Sequence, residues 1–334
     1  MIYIKIHGMP CPNRCRHCCY FGGPDKEMMS REQVEKILTH AVDLKEQFQH
    51  VVIQMFDEPT MHPHFLDIVE TQNALGLAWE GWFIPTNGSG LARMDDSGWG
   101  RLRDAGRPEL QLTFYGLESA HDAFAGRKGA YADLVHCARA AGRQGIGWTA
   151  GIVAWPGNVR DLPVIRETIL NLAPGCTGAG WFLPAWQGRA QDSDLRCRAG
   201  DLEYLKLPPA HFRPEKAHIK TILYDESLGS RTAADAMCDF MSMEVYPDMT
   251  VVHGGACDAA PPPELVPRLT IGTLTDAGFD PLVERLRNDP PELVNVLKNT
   301  SWRTLAENSG DPDGEGIFSV NDIVANKWMT DFLS

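Results

Sequence analysis

Six short apolar, β-branched runs alternate with longer amphipathic stretches over the first 190 residues of this 334-residue chain, and no other feature limits its fold as strongly. The runs at 2–6, 51–56, 81–84, 110–114, 146–153 and 180–182 have the length and composition of strands. Between them, 31–49, 64–75, 99–105, 131–144 and 164–172 carry apolar residues at helical spacing. Repeated strand–helix–strand units build a parallel sheet with right-handed crossovers, which gathers the loops that follow the strands at one end. The chain is therefore expected to be an α/β protein, a partial (β/α)6 barrel of the TIM type. An open doubly wound sheet is the alternative that alternation alone leaves standing.

The rhythm breaks after Gly188. Pro208, Pro209 and Pro214 interrupt it, 244–246 and 251–253 read as a hairpin turning at Pro247-Asp248, and helical patterns return at 280–288, 292–307 and 320–332. This divides the chain into a barrel at 1–190 and a smaller α+β C-terminal extension at 191–334.

Charge and hydropathy narrow the partners. The net charge of -13, with no cluster of five Lys or Arg, argues against nucleic acid and anionic membrane surfaces. No run of eighteen apolar residues and no signal-like N-terminal stretch is present, so a cytoplasmic protein without membrane contact is expected.

Nine cysteines are an odd number, and in a reducing compartment they point to metal or redox use more than to disulfides. Cys11, Cys15 and Cys18 have the spacing CxxxCxxC in the loop directly after the first predicted strand. A loop can fold three thiolates onto three corners of one iron–sulfur cluster, and three ligands in place of four leave one iron open to a small molecule. A structural zinc site or packed thiols are the competing readings of the same residues.

The segment Cys11-Pro12-Asn13-Arg14-Cys15-Arg16-His17-Cys18 resembles the cluster motif of the radical S-adenosylmethionine (SAM) superfamily. That resemblance implies one 4Fe-4S cluster held by Cys11, Cys15 and Cys18, with SAM chelated to the open iron. Three further segments follow in the family's order. Phe56-Asp57-Glu58-Pro59-Thr60 looks like the GGEP segment, in which the carboxylate, here Glu58 followed by Pro59, accepts hydrogen bonds from the methionine amino group. Both of its glycines are replaced, which puts the local backbone geometry in question. Pro85-Thr86-Asn87-Gly88 is similar to the TNG loop, which sets Asn87 and Gly88 beside the ligand. In the fourth-strand segment, Thr113 matches a hydroxyl residue that meets the SAM ribose, and Arg127 an arginine that faces its carboxylate.

Beyond residue 190, the hairpin and the segment 269–274 resemble the SPASM and Twitch extensions, whose cysteines hold auxiliary clusters. Only Cys197, Cys238 and Cys257 remain there, which argues against a second cluster. Cys238 and Cys257 flank the hairpin and have three readings: packed thiols, remnants of a cluster site, or catalytic hydrogen-atom donors to a substrate radical, as in an epimerase. Trp148, Trp155, Trp181 and Trp186 either wall a pocket or belong to the core. His62 and His64 read as helix-start residues in preference to metal ligands.

Taken together, the resemblance implies an enzyme that cleaves SAM reductively to a 5'-deoxyadenosyl radical and removes a hydrogen atom from its substrate. It would draw its electron from a flavodoxin- or ferredoxin-type donor. A small polar metabolite such as a sugar, aminosugar or nucleoside is the expected substrate, because the motif begins at residue 11 without a preceding leader-binding domain. A peptide maturase and a non-catalytic cluster- or SAM-binding protein are the competing functions.

Overall fold

In a computed structural model, residues 1–77, 83–106, 108–184, 188–190, 194–201, 203–206, 223–232, 241–254, 265–307 and 314 are described. Strands β1 (Ile2–Ile6), β2 (Val51–Met55), β3 (Phe83–Thr86), β4 (Glu109–Phe114), β5 (Trp148–Val153) and β6 (Cys176–Phe182) follow the expected order, with β3 ending two residues beyond the expected 81–84 and β6 starting four residues before the expected 180–182. The helices between them are α1 (Arg31–Asp43), α2 (Phe65–Ala74), α3 (Asp96–Asp104), α4 (Glu118–Ala125), α5 (Ala130–Gln144) and α6 (Leu162–Leu170). β1 pairs in parallel with β2, and β3 to β6 pair in parallel in chain order. This is the architecture of a partial (β/α)6 barrel, with the strand-to-helix loops collected at the C-terminal ends of the strands.

Local sequence accounts for the elements. α1 opens on a reciprocal capping box: Ser30 Oγ accepts the Gln33 backbone N–H at 3.3 Å, and the Gln33 side chain accepts the Ser30 N–H at 2.7 Å. Its apolar stripe, Val34, Ile37, Leu38 and Ala41, is fully buried. α1 stops at Asp43, shorter than the expected 31–49, and a single 3-10 turn at Leu44–Glu46 leads toward β2. α4 was not anticipated. Its eight residues end on Gly126, whose left-handed φ of 65° lets the chain turn before α5, and a helix this short leaves little periodicity to read.

The strands sort their side chains by alternation. Ile2, Ile4 and Ile6 of β1 are wholly buried in the main core, so Tyr3 and Lys5 face the other side of the sheet. Trp148 and Trp181 are core residues, not pocket walls: both are buried, and Trp148 donates its ring N–H to the Pro174 carbonyl at 3.1 Å. Trp155 is half-buried, packs on Phe124 and donates to the Tyr115 carbonyl, while Trp186 lies outside the described residues.

In the C-terminal part, β7 (Met241–Val245) and β8 (Thr250–His253) form the expected hairpin, and β9 (Thr270–Thr273) adds to it. β7 also lies in parallel along the free edge of β1, from Ile2 opposite Met241 to Ile6 opposite Val245. The sheet order is β2-β1-β7-β8-β9. Helix Asp280–Asn288 matches the expected span. The expected helix 292–307 is two helices, Glu292–Asn299 and Trp302–Glu307, because Ser301 caps the second by accepting the Thr304 N–H at 3.1 Å. The segments at 208–214 and 320–332 fall outside the described residues. Among those described, no helix is long and apolar enough to cross a membrane.

Candidate functional site

The loop from Gly8 to Lys26 leaves the C-terminal end of β1 and carries the three cysteines, two of which, Cys11 and Cys15, are buried. Cys11 and Cys18 converge over Gly22. A Cβ added there would sit 3.4 Å from the Cys18 sulfur and 3.8 Å from the Cys11 sulfur, in van der Waals contact with both. The Gly22 N–H points at the Cys18 sulfur at 3.1 Å, and the Asn87 side-chain amide points at the Cys11 sulfur at 3.3 Å. N–H donors aimed at sulfur suit a cluster's thiolates, whose negative charge they share.

Burial drives all three thiols toward the neutral form. It raises the pKa of Cys11 and Cys18, and pushes that of Cys15 up to about 12 against the opposing pull of Tyr115 and Arg189. Such thiols ionise when iron supplies the missing positive charge. Among the described residues, no three His, Cys, Asp or Glu side chains converge as a single metal ion requires. A cubane asks something different, because it spreads its thiolates over separate irons. The donor set fits a cluster better than zinc.

Glu58 sits at the end of β2, wholly buried, and Pro59 directly behind it starts a single 3-10 turn. Its Oε1 accepts the hydroxyls of Thr60 and, at 2.6 Å, Thr86; its Oε2 accepts the Asn87 backbone N–H at 2.6 Å. Burial raises the carboxyl pKa and these three donors partly offset it. A carboxylate has about four acceptor positions, and an external donor such as a ligand amine would share them with these groups.

The loop after β3 is fixed as tightly. Asn87 Oδ1 accepts the Ser89 backbone N–H at 3.0 Å and the Ser89 hydroxyl, which turns the amide NH2 toward Cys11. Gly88 adopts a left-handed φ of 81° and gives its N–H to Thr86 Oγ1 at 2.9 Å. Gly90 packs directly on the Thr60 backbone: a Cβ there would stand 2.0 Å from the Thr60 carbonyl oxygen. Arg127, after α4, reaches across to Asn13 of the cysteine loop at 2.5 Å, Ser89 at 3.1 Å and Asp133 at 2.7 Å. Glu58, Asn87, Ser89, Arg127 and Asn13 thus form one connected network between the strand ends and the cysteine loop. Thr113 is half-buried on β4, opposite Gly151 of β5.

Several site residues escaped sequence reading. Asp57 accepts backbone N–H groups from the entry to the cysteine loop. Arg189 binds the Gly22 carbonyl at 2.6 Å and the Cys15 carbonyl at 3.5 Å, closing the loop from the far side. On the face of β1 away from the main core, buried Lys5 and His7 meet buried Glu244 of β7 at 3.5 and 3.2 Å, with Tyr246 stacked on the His7 ring. None of these carries a local motif. Asp57 alone had a signal, as the residue standing where the resembling segment has glycine.

The remaining cysteines divide. Cys137 is buried in α5 with its thiol 3.2 Å from the Gly88 carbonyl, and Cys197 is buried with its thiol 3.7 Å from the Ala154 carbonyl. Cys176 is half-buried at the start of β6. Cys238 and Cys257, the candidate hydrogen-atom donors, lie outside the described residues. His62 and His64 stand at the start of α2 as expected; His62 is buried against the Met29 carbonyl at 3.0 Å, and His64 contacts Asp67.

A barrel whose first loop carries three cysteines, with a glutamate and an asparagine loop at the next strand ends, defines a class. Residues 6–167 match the family described as the Radical SAM superfamily, which identifies this part of the chain as a radical SAM enzyme domain. Cluster and SAM are the cofactors that this match implies, and the residues above suit both.

Among solved structures, native anSMEcpe with bound AdoMet (SAM) aligns at a TM-score of 0.64 and 13% identity, over 99% of this chain and 96% of that one. Streptococcus suis SuiB bound to S-adenosylmethionine aligns at 0.62 and 13% identity, over 97% of this chain and 77% of that one. Native anSMEcpe with bound AdoMet and Cp18Cys peptide aligns at 0.60 and 14% identity, over 98% and 96%. At such identities the likeness describes the fold, which extends through the C-terminal part. No curated protein sequence matches the chain significantly.

Proposed function

We propose that this chain cleaves SAM reductively and uses the resulting 5'-deoxyadenosyl radical to remove a hydrogen atom from a substrate carbon. The observation that carries this reading is Asn87, which ties the ligand-facing carboxylate of Glu58 to the sulfur of Cys11. When bound, the cluster supplies the electron and the open iron. The protein's own groups hold and orient: Cys11, Cys15 and Cys18 as ligands, Glu58 as acceptor for the methionine amine, and Arg127 with Asn13 and Ser89 bracing the cysteine loop. Thr113 on β4 would meet a ribose hydroxyl of SAM. The electron donor is a flavodoxin- or ferredoxin-type protein, and a low-potential cluster of this kind suits the reducing cytoplasm. The hairpin strands after residue 190 support a SPASM-like extension, and the few cysteines beyond residue 190, Cys197, Cys238 and Cys257, support one cluster in the protein as a whole.

For the substrate, we infer a peptide side chain. The support is the fold likeness over 98% of this chain and 96% of an anSMEcpe structure that holds a peptide. A second structure in the same set is Streptococcus suis SuiB bound to precursor peptide SuiA, alike over 97% of this chain. The small polar metabolite expected from sequence remains the competing substrate. Its argument was the position of the cysteine motif, which does not restrict where a peptide can bind.

The test is anaerobic reconstitution with iron and sulfide, followed by iron counting and a dithionite-driven SAM cleavage assay in wild type and Cys15→Ala. About four irons and deoxyadenosine from wild type alone support the reading. Zinc binding without SAM cleavage overturns it. Mass spectrometry of candidate peptides and metabolites after turnover then separates the substrates, and turnover of metabolites alone overturns the peptide.

A further inference from the structure

Asp57 stands between β2 and Glu58 with a φ of 68°, a left-handed conformation that an L residue with a Cβ adopts at a cost and that glycine accepts freely. The resembling family segment has glycine here. An aspartate retained in such a conformation needs a compensating role, and its contacts supply one.

The Asp57 side chain is fully buried. Its Oδ2 accepts the backbone N–H groups of Gly8 at 3.2 Å and Met9 at 3.3 Å, where the chain enters the cysteine loop two residues before Cys11. Its Oδ1 accepts the Lys26 ammonium at 2.7 Å, and Lys26 also donates to the Tyr20 carbonyl at 3.2 Å, two residues after Cys18. Both limbs of the loop therefore converge on one carboxylate. A buried carboxylate is tolerated only when paired and hydrogen-bonded, so the three donors and the charge hold one another in place.

We propose that Asp57 and Lys26 form an anchor that shapes the loop from Gly8 to Lys26 before iron arrives. Asp57 is a positioning residue for the cluster, acting through backbone groups on both sides of the cysteines. In place of a relaxed glycine, the chain accepts a strained residue whose carboxylate closes the loop. The preformed loop presents its three thiols together, which lowers the ordering cost of cluster assembly and slows cluster loss.

This inference rests on the cluster reading of Cys11, Cys15 and Cys18, so its test has a metal-free arm. In the full-length apo-protein, hydrogen exchange is followed at peptides covering 8–26 for wild type, Asp57→Gly and Lys26→Met, beside the thermal midpoint of each. Asp57→Gly relieves the backbone strain and removes the anchor, two effects that oppose one another in the midpoint; the expected result is about tenfold faster exchange confined to the loop. In reconstituted protein, iron loss to a chelator should accelerate about tenfold in Asp57→Gly, and in the same direction in Lys26→Met. If Asp57→Gly does not fold, Lys26→Met alone decides both arms, since it leaves the backbone at position 57 untouched. Unchanged loop exchange and unchanged iron loss in the folded variants overturn the anchor. A wild type that takes up no iron overturns the cluster reading, while loop exchange still decides the anchor.

Discussion

Asn87 donates its side-chain amide to the sulfur of Cys11 across 3.3 Å. The same residue gives its backbone N–H to Glu58, so one loop position serves both the proposed cluster ligand and the carboxylate proposed to accept the methionine amine. Hydrogen bonds to a thiolate sulfur stabilise the more negative, reduced cluster. Asn87→Ala should therefore lower the reduction potential in an EPR-monitored redox titration and slow SAM cleavage by about tenfold. An unchanged potential would show that the contact does not persist in the loaded protein.

Glu58→Gln separates ligand binding from stability. Burial raises the Glu58 carboxyl above its ordinary value of 4.5, so the folded state holds that proton more tightly than the unfolded state, and stability falls as pH rises from 4.5 toward the folded value. Glutamine has no proton to lose. The variant should match wild type at low pH and equal or exceed its thermal midpoint at neutral pH, while SAM affinity drops about tenfold, equivalent to about 1.4 kcal/mol. Thermal melts across pH and SAM titration of the reconstituted protein read the two effects separately.

Glu244 behaves in the opposite sense. Burial pushes its pKa up, but Lys5, His7 and Tyr246 outweigh that and leave the carboxyl below its ordinary value of 4.5. Its ion pair contributes stability above pH 4.5, and that contribution is lost as pH falls through the depressed value. Glu244→Gln deprives buried Lys5 of this partner and should cost about 3 kcal/mol at neutral pH. Denaturant titrations at neutral and acidic pH should show the gap between variant and wild type closing toward the acid side.

Gly90→Ala tests how closely two loops must approach. Its new Cβ would stand 2.0 Å from the Thr60 carbonyl oxygen, a contact that backbone movement alone can relieve. Because Thr60 and Thr86 both donate to Glu58, separating the loops should loosen the carboxylate. The expected result is a loss of about 1–3 kcal/mol in stability together with weaker SAM binding. Wild-type SAM affinity in this variant would show that the close approach does not position Glu58.

Much of the site could be read from the chain because its chemistry is written in short segments at strand ends. Cys11 to Cys18, Glu58 with Pro59, and Asn87 with Gly88 are each set by a few adjacent residues on the loop after a predicted strand. Arg189, Lys26 and Glu244 could not be read in this way: each acts on a partner brought near by the fold, with no periodicity or spacing to announce it. Asp57 looked like a defect in a glycine motif, and only its three donors show why the side chain is there. α4 was missed for a different reason, since eight residues before Gly126 span barely two turns.

The parallel register of β7 on β1 bears on the order in which this protein can be finished. The strand that leads into the cysteine loop is synthesised well before one of its two neighbours, which begins at residue 241. Until that neighbour emerges, β1 presents a bare row of backbone N–H and C=O groups along one edge, where it can pair with another chain. A nascent or truncated barrel is thus sticky along the strand that precedes its cysteine loop, and full protection of that strand awaits the distal part of the chain.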